Sequence, residues 1–194
     1  MSEQSIRLPP RSLLLPLSLL LVIGLAVAAG MGWSDARAHT TVILLIRNAE
    51  VESGAADSEL SAAGQRRAAA LGDYLETLLG SQPIDHIYAS YGRPAQSTAA
   101  PVANQFRLPI NLLAESDWED LPKRVRRDHI GQYIAVVGTA GTIADFGREL
   151  SGTEIGIADE EFGDIYVVVL SRAAESRLFR VHYEAPDRDS QAGS

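Results

Sequence analysis

Thr41–Ile46 reads TVILLI, an unbroken aliphatic and β-branched run that ends at a charge, Arg47. A short run with no polar alternation suits a strand covered on both faces. Ile84–Ala89 and Tyr133–Val137 repeat the pattern. Helical signals lie between these runs. Ser61 precedes apolar residues at Ala68, Leu71, Leu75 and Leu78, a helical period that stops at Gly80. Pro94 suits the first turn of a second helix that has Phe106 near its end. Pro109–Leu113 reads as a short strand, Leu121–His129 as a polar, exposed helix, and the segment after Val137 as a helix to about Leu150. Ile165–Leu170 and Arg177–Tyr183 alternate as a closing antiparallel pair of strands. The pattern predicts a three-layer α/β/α sandwich with a mostly parallel central sheet. In such sheets, sites form beyond the carboxyl ends of the strands, here after Ile46, Ala89 and Val137.

The front of the chain is different. No charge appears from Ser12 to Ser34, Arg7 and Arg11 precede that stretch, and Ala36-Arg37-Ala38 follows it. A basic start, an apolar run and an A-x-A site mark a secretory signal, but the run is also long enough for a membrane anchor. The alanines favour cleavage after Ala38. The expected organisation is therefore a signal or anchor over residues 1–38, a domain over 39–184 and a polar tail over 185–194. Either fate places the domain in the periplasm or another extracytoplasmic space, tethered to the inner membrane through residues 12–33 if the segment stays.

The chain has no cysteine, which excludes disulfides, thiolate nucleophiles and cysteine metal sites. Neither metal nor cofactor is expected. The net charge is −8, and the segment to Ala38 carries more Arg than acid, so the remainder is more acidic still. Nucleic acid is a poor partner for such a surface. Lys123, Arg124, Arg126 and Arg127 form a basic cluster, read as a solvated helix face.

Four motifs fall in order on the expected strand–helix junctions. They are Arg47-Asn48-Ala49-Glu50; Leu60-Ser61-Ala62-Ala63-Gly64; Ser90 with Arg93 and Gln96-Ser97-Thr98-Ala99; and Val136-Val137-Gly138-Thr139. Together they resemble the histidine phosphatase (phosphoglycerate-mutase-like) superfamily over residues 40–184. That family's first strand ends in Arg-His-Gly/Ala-Glu and a later one ends in Gly-His. Asn48 and Thr139 stand where the resemblance places the two histidines. The third motif departs in spacing: Ser90 to Arg93 is one step short, and Thr98 falls one late.

The resemblance implies phosphoryl transfer to a histidine nitrogen, two arginines gripping the phosphoryl oxygens and a carboxylic acid at the leaving group. Arg47 and Arg93 match the arginines, and Glu115, Asp117 or Glu119 are the available acids. An amide nitrogen has its lone pair delocalised and does not attack phosphorus, so Asn48 implies lost turnover. The expected function is a pseudoenzyme that binds phosphate, a phosphorylated small molecule or a protein. The alternatives are a slow phosphatase using water and a carboxylate near Asp117, and an interaction domain with a collapsed site. Of the four histidines, His39, His86, His129 and His182, none is expected where phosphate would bind. Plainer roles stand beside these: an Arg47–Glu50 ion pair, a solvated Arg93, helix capping by Asn48 and Thr139, relief of crowding by Gly138 and Gly141, and core-edge packing by Tyr91 and Trp118.

Overall fold

The computed structural model describes residues 40–53, 57–171 and 174–185; the apolar stretch, His39 and the end of the polar tail lie outside them. Six strands form one sheet: β1 (Thr40–Arg47), β2 (His86–Ser90), β3 (Ile110–Leu113), β4 (Tyr133–Gly138), β5 (Asp164–Ser171) and β6 (Arg177–His182). Among the described residues four helices accompany them: α1 (Ala62–Leu79), α2 (Arg93–Phe106), α3 (Leu121–Asp128) and α4 (Ala140–Ser151). Among the described residues no helix is long and apolar enough to cross a membrane.

The strand order is β3-β2-β4-β1-β5-β6. β3, β2, β4 and β1 are parallel, but β5 runs antiparallel to β1 and β6 antiparallel to β5. The sheet is therefore mixed: the expected parallel strands and the closing antiparallel pair share one sheet, joined where β5 runs antiparallel to β1. The reason lies in the chain after α4. This helix descends from the carboxyl end of the parallel strands, and the loop 152–163 climbs back before β5 begins beside the end of β1. Ile155 anchors that loop against Gly147 and the core, where a side chain at position 147 would collide with it.

β1 is central, and Ile43, Leu44, Leu45 and Ile46 are all buried. Alternate residues feed two cores. Ile43 and Leu45 pack with Leu121 and Val125 of α3 and Ile143, Phe146 and Leu150 of α4. Leu44 and Ile46 pack with Leu71 and Leu75 of α1 and Ala99 and Val102 of α2. Burial of this kind contributes about 25 cal/mol per Å² of apolar surface, which is why a continuous apolar run is stable only in a covered central strand.

Local signals explain the helix ends. Ser61 Oγ accepts from the Gly64 N–H, and α1 stops at Gly80, whose φ of 59° is left-handed. Leu78 is an exception to the helical stripe, since it lies at the surface. α3 is not the exposed helix its composition suggests. Leu121, Pro122 and Val125 form a buried stripe, while Arg126 and Arg127 face outward. Its charges mask a narrow apolar face.

Candidate site at the carboxyl rim

β2, β4 and β1 are adjacent and parallel, so their carboxyl ends share one rim. Arg47 pairs in register with Gly138, and the Asn48 N–H donates to the Gly138 carbonyl at 2.8 Å. Asn48, Ser90 and Thr139 are thereby brought to one edge, as the three strand endings predict.

The loop after β1 is held by residues from two helices. At α1, Gly64 lies so close to the Glu50 backbone that any Cβ there would collide with the Glu50 carbonyl. One turn further, Arg67 grips the Glu50 carboxylate with Nε at 2.9 and 3.0 Å and Nη2 at 2.7 Å. Burial is the largest influence and raises the Glu50 pKa, but the Arg67 hydrogen bonds, a backbone hydrogen bond and the charges of Arg67 and Arg47 together outweigh it and hold the carboxyl below its ordinary value. Glu50 thus pairs with Arg67 and not with Arg47. The sequence carries a signal for this: a helical residue three after Gly64 faces the same way as Gly64. At α2, the fully buried Thr98 accepts from the Ala49 N–H at 2.9 Å and donates to the Pro94 carbonyl at 2.7 Å. Despite its spacing, Thr98 reaches the β1 loop.

The two arginines have separate partners. Arg47 Nη1 donates to the Ala158 carbonyl at 2.7 Å, with Glu161 O at 3.4 Å, and its guanidinium lies 4.0 Å from the centre of the Phe162 ring. Burial lowers its pKa, and the carboxylates of Asp159, Glu160, Glu50 and Glu161 pull the other way; it remains charged. Arg93 opens α2, is largely exposed, and meets Glu59 at 2.9 Å. In this structure the guanidinium groups are drawn to different loops, 158–162 and 57–59.

Asn48 caps no helix; its amide donates to the Ala49 carbonyl at 3.1 Å. Thr139 does cap, its Oγ accepting from the Thr142 N–H at 3.2 Å. Gly138 relieves crowding, since a Cβ would stand 3.1 Å from Ser90 Oγ and 3.3 Å from the Trp118 ring, whereas nothing lies close to Gly141. Ser90 Oγ is buried with no hydrogen-bond partner among the described residues. Asp117 accepts from the Ala114 N–H within a 3-10 turn, Glu115–Asp117, while Glu115 and Glu119 are exposed beside Trp118. Tyr91 is at the surface and Trp118 packs edge-on against Phe146.

Two histidines lie at the opposite end of the sheet. His86 begins β2, and His129, expected to be exposed, is buried with its ring 4.5 Å from that of His86. His129 is buried because α3 ends there and turns the chain into β4. The third, His182, ends β6 at the rim's level but two strands from β1. Its Nδ1 lies 2.7 Å from the buried Asp164 carboxylate, which also contacts Arg180 Nε at 2.8 Å. Glycine at position 163 leaves room for this ring. Sequence alone gave no sign of the pair, because Asp164 looks like the polar start of a strand.

The sequence model of the histidine phosphatase superfamily, branch 1, matches residues 43–133, from within β1 to the start of β4. Over that span the chain is similar to the histidine phosphatase superfamily. Asn48 and Arg93 lie inside the matched span and Thr139 lies beyond it. Solved structures share the fold. The protein histidine phosphatase SixA complexed with tungstate aligns with a TM-score of 0.60 at 14% identity, covering 74% of this chain and 96% of that one. Phosphoglycerate mutase from Plasmodium falciparum gives 0.53 at 18%, covering 77% and 97%. Mycobacterial glucosyl-3-phosphoglycerate phosphatase gives 0.52 at 15%, covering 76% and 99%. No curated protein sequence gives a significant match.

Proposed function

We propose that this chain is an exported member of the histidine phosphatase superfamily that binds a phosphorylated or anionic ligand at the carboxyl rim without efficient turnover. The observation that carries the reading is Asn48 at the end of β1, in the motif where the family places its nucleophile. Thr139, the corresponding residue after β4, is a helix cap. Losing a covalent nucleophile leaves about 10³–10⁴-fold over water from positioning and charge in hydrolases built this way. Arg47 and Arg93 supply the charge for binding. The Arg93–Glu59 pair is exposed and contributes about 0–1 kcal/mol, so an oxyanion can displace Glu59. Arg47 is fixed by the 158–162 loop through Nη1, which leaves its other N–H groups for an anion. The tungstate complex of SixA supports an oxyanion as the ligand class. Export rests on the apolar stretch and A-x-A site of the sequence.

A second reading, an interaction domain with a closed site, is favoured by the divergence of the two guanidinium groups. Asp117 is poorly suited to a slow hydrolase because its carboxylate is committed to the Ala114 N–H.

Thermal-shift titration with phosphate and tungstate separates the first two. Anion binding raises Tm through ligand linkage, and Arg47→Ala abolishes the rise. No rise with either anion selects the closed-site reading. Phosphomonoester hydrolysis is expected at background in the natural chain. Its gain in Asn48→His/Thr139→His, on the order of 10²-fold or more, tests the placement of both positions. Strong hydrolysis by the natural chain overturns the proposal.

A further inference from the structure

A cleft of 510 Å³ opens between α4 and the segment from the 3-10 turn into α3, directly beside the rim. Its floor is aromatic. Trp118 and Phe146 meet edge to face with centroids 5.9 Å apart, and the Trp118 ring reaches to within contact of Gly138. Its walls carry both signs of charge, but the cations are already answered. Lys123 pairs with Asp120 at 3.1 Å, and Arg148 with Asp145 at 2.9 Å. Glu115, Glu119 and Glu149 line the same cleft and have no ion-pair partner among the described residues. The cleft therefore presents uncompensated negative charge above an aromatic base.

We propose that this cleft docks a basic peptide segment of a partner protein. An Arg or Lys side chain would lay its aliphatic stem along the half-buried Trp118, which Phe146 backs from the core, and turn its head to the carboxylates. Carboxylates stand on both walls, Glu115 and Glu119 on one and Glu149 on the other. A single small cation satisfies one wall, whereas successive basic residues on an extended chain satisfy both. The volume is that of a cleft suited to a few side chains. This docking goes beyond anion binding at the rim and stands on different residues, so the two readings fail separately.

Trp118 is a natural reporter. The chain has two tryptophans, and Trp33→Phe leaves Trp118 as the single tryptophan, which is excited selectively at wavelengths where tyrosine does not absorb. The full chain carrying that substitution is titrated with an eight-residue peptide of alternating Arg and Ala, with the matching Glu–Ala peptide, and with free arginine. The basic peptide is expected to change Trp118 emission saturably. Its binding should weaken about tenfold or more in Glu119→Gln/Glu149→Gln and at high salt. These exposed substitutions should leave Tm unchanged, which keeps a folding defect distinct from lost binding. Equal binding of the acidic peptide, no weakening in the glutamine variant, or no response to any ligand overturns the proposal. Free arginine binding as tightly as the peptide also overturns it, and assigns the cleft to a small cation.

Discussion

The two ends of the sheet handle polar groups differently. At the amino end, His129 donates through Nδ1 to Gln132 Oε1 at 2.6 Å, which leaves Nε2 to accept from the Tyr88 hydroxyl at 2.8 Å. Thr41 ties that residue's carbonyl into β1 at 2.8 Å. This end is a packed network of titratable rings. At the carboxyl rim, by contrast, most polar side chains serve the backbone: Thr98 holds the Ala49 N–H, Thr139 caps α4 and Asn48 bonds its neighbour's carbonyl. The superfamily's chemistry would need its imidazoles at the rim, yet the buried imidazole is at the other end. The rim's hydrogen bonds to the backbone are required for folding whatever the site does.

The rim's scaffold role predicts the largest effects. Gly64→Ala forces a methyl group into the Glu50 carbonyl and should cost about 3 kcal/mol, read as a fall in denaturant midpoint. A change below about 0.5 kcal/mol would show that the β1 loop is not pinned there. Thr98→Val, nearly isosteric, strands the buried Ala49 N–H and should cost about 2 kcal/mol. Hydrogen exchange at Ala49 should accelerate in that variant, and unchanged exchange would remove Thr98 from the account.

The amino end should respond to pH instead. Burial first, and the neighbouring His129 second, lower the pKa of His86 from its ordinary 6.5. The unfolded chain therefore takes up this proton at a higher pH than the folded one. The stabilisation is complete above 6.5 and is lost as pH falls through the folded-state value. Glu50, whose folded value lies below its ordinary 4.5, loses its contribution only at lower pH, so the interval between the two reports on His86. Urea unfolding at pH 7.5, 6.0 and 5.0 should show declining stability, and His86→Asn should flatten the decline. Rising stability on acidification would contradict the lowered pKa of His86.

The smallest effect belongs to the rim's exposed charge. Arg93→Ala should change stability by about 0.5 kcal/mol or less, because its pair with Glu59 is solvated. A larger loss would make Arg93 part of the scaffold and leave it less free for an anion.

Sequence alone determined the central strands, the ends of α1 and the shared rim. These follow from short-range physics: an unbroken apolar run must be covered on both faces, Ser and Gly terminate helices locally, and parallel strands gather their carboxyl ends. The motifs also carried the likeness to the superfamily. Tertiary structure alone decided the partners. Glu50 chose Arg67 over the nearer Arg47 because Gly64 brings α1 against the β1 loop. Arg47 turned to the 158–162 loop, and Asp164 met His182, because β5 descends beside β1 after that loop climbs back. The buried stripe of α3 and the burial of His129 were hidden for the same reason. A side chain's partner across the fold depends on which elements pack together, and charge composition along one helix does not encode that.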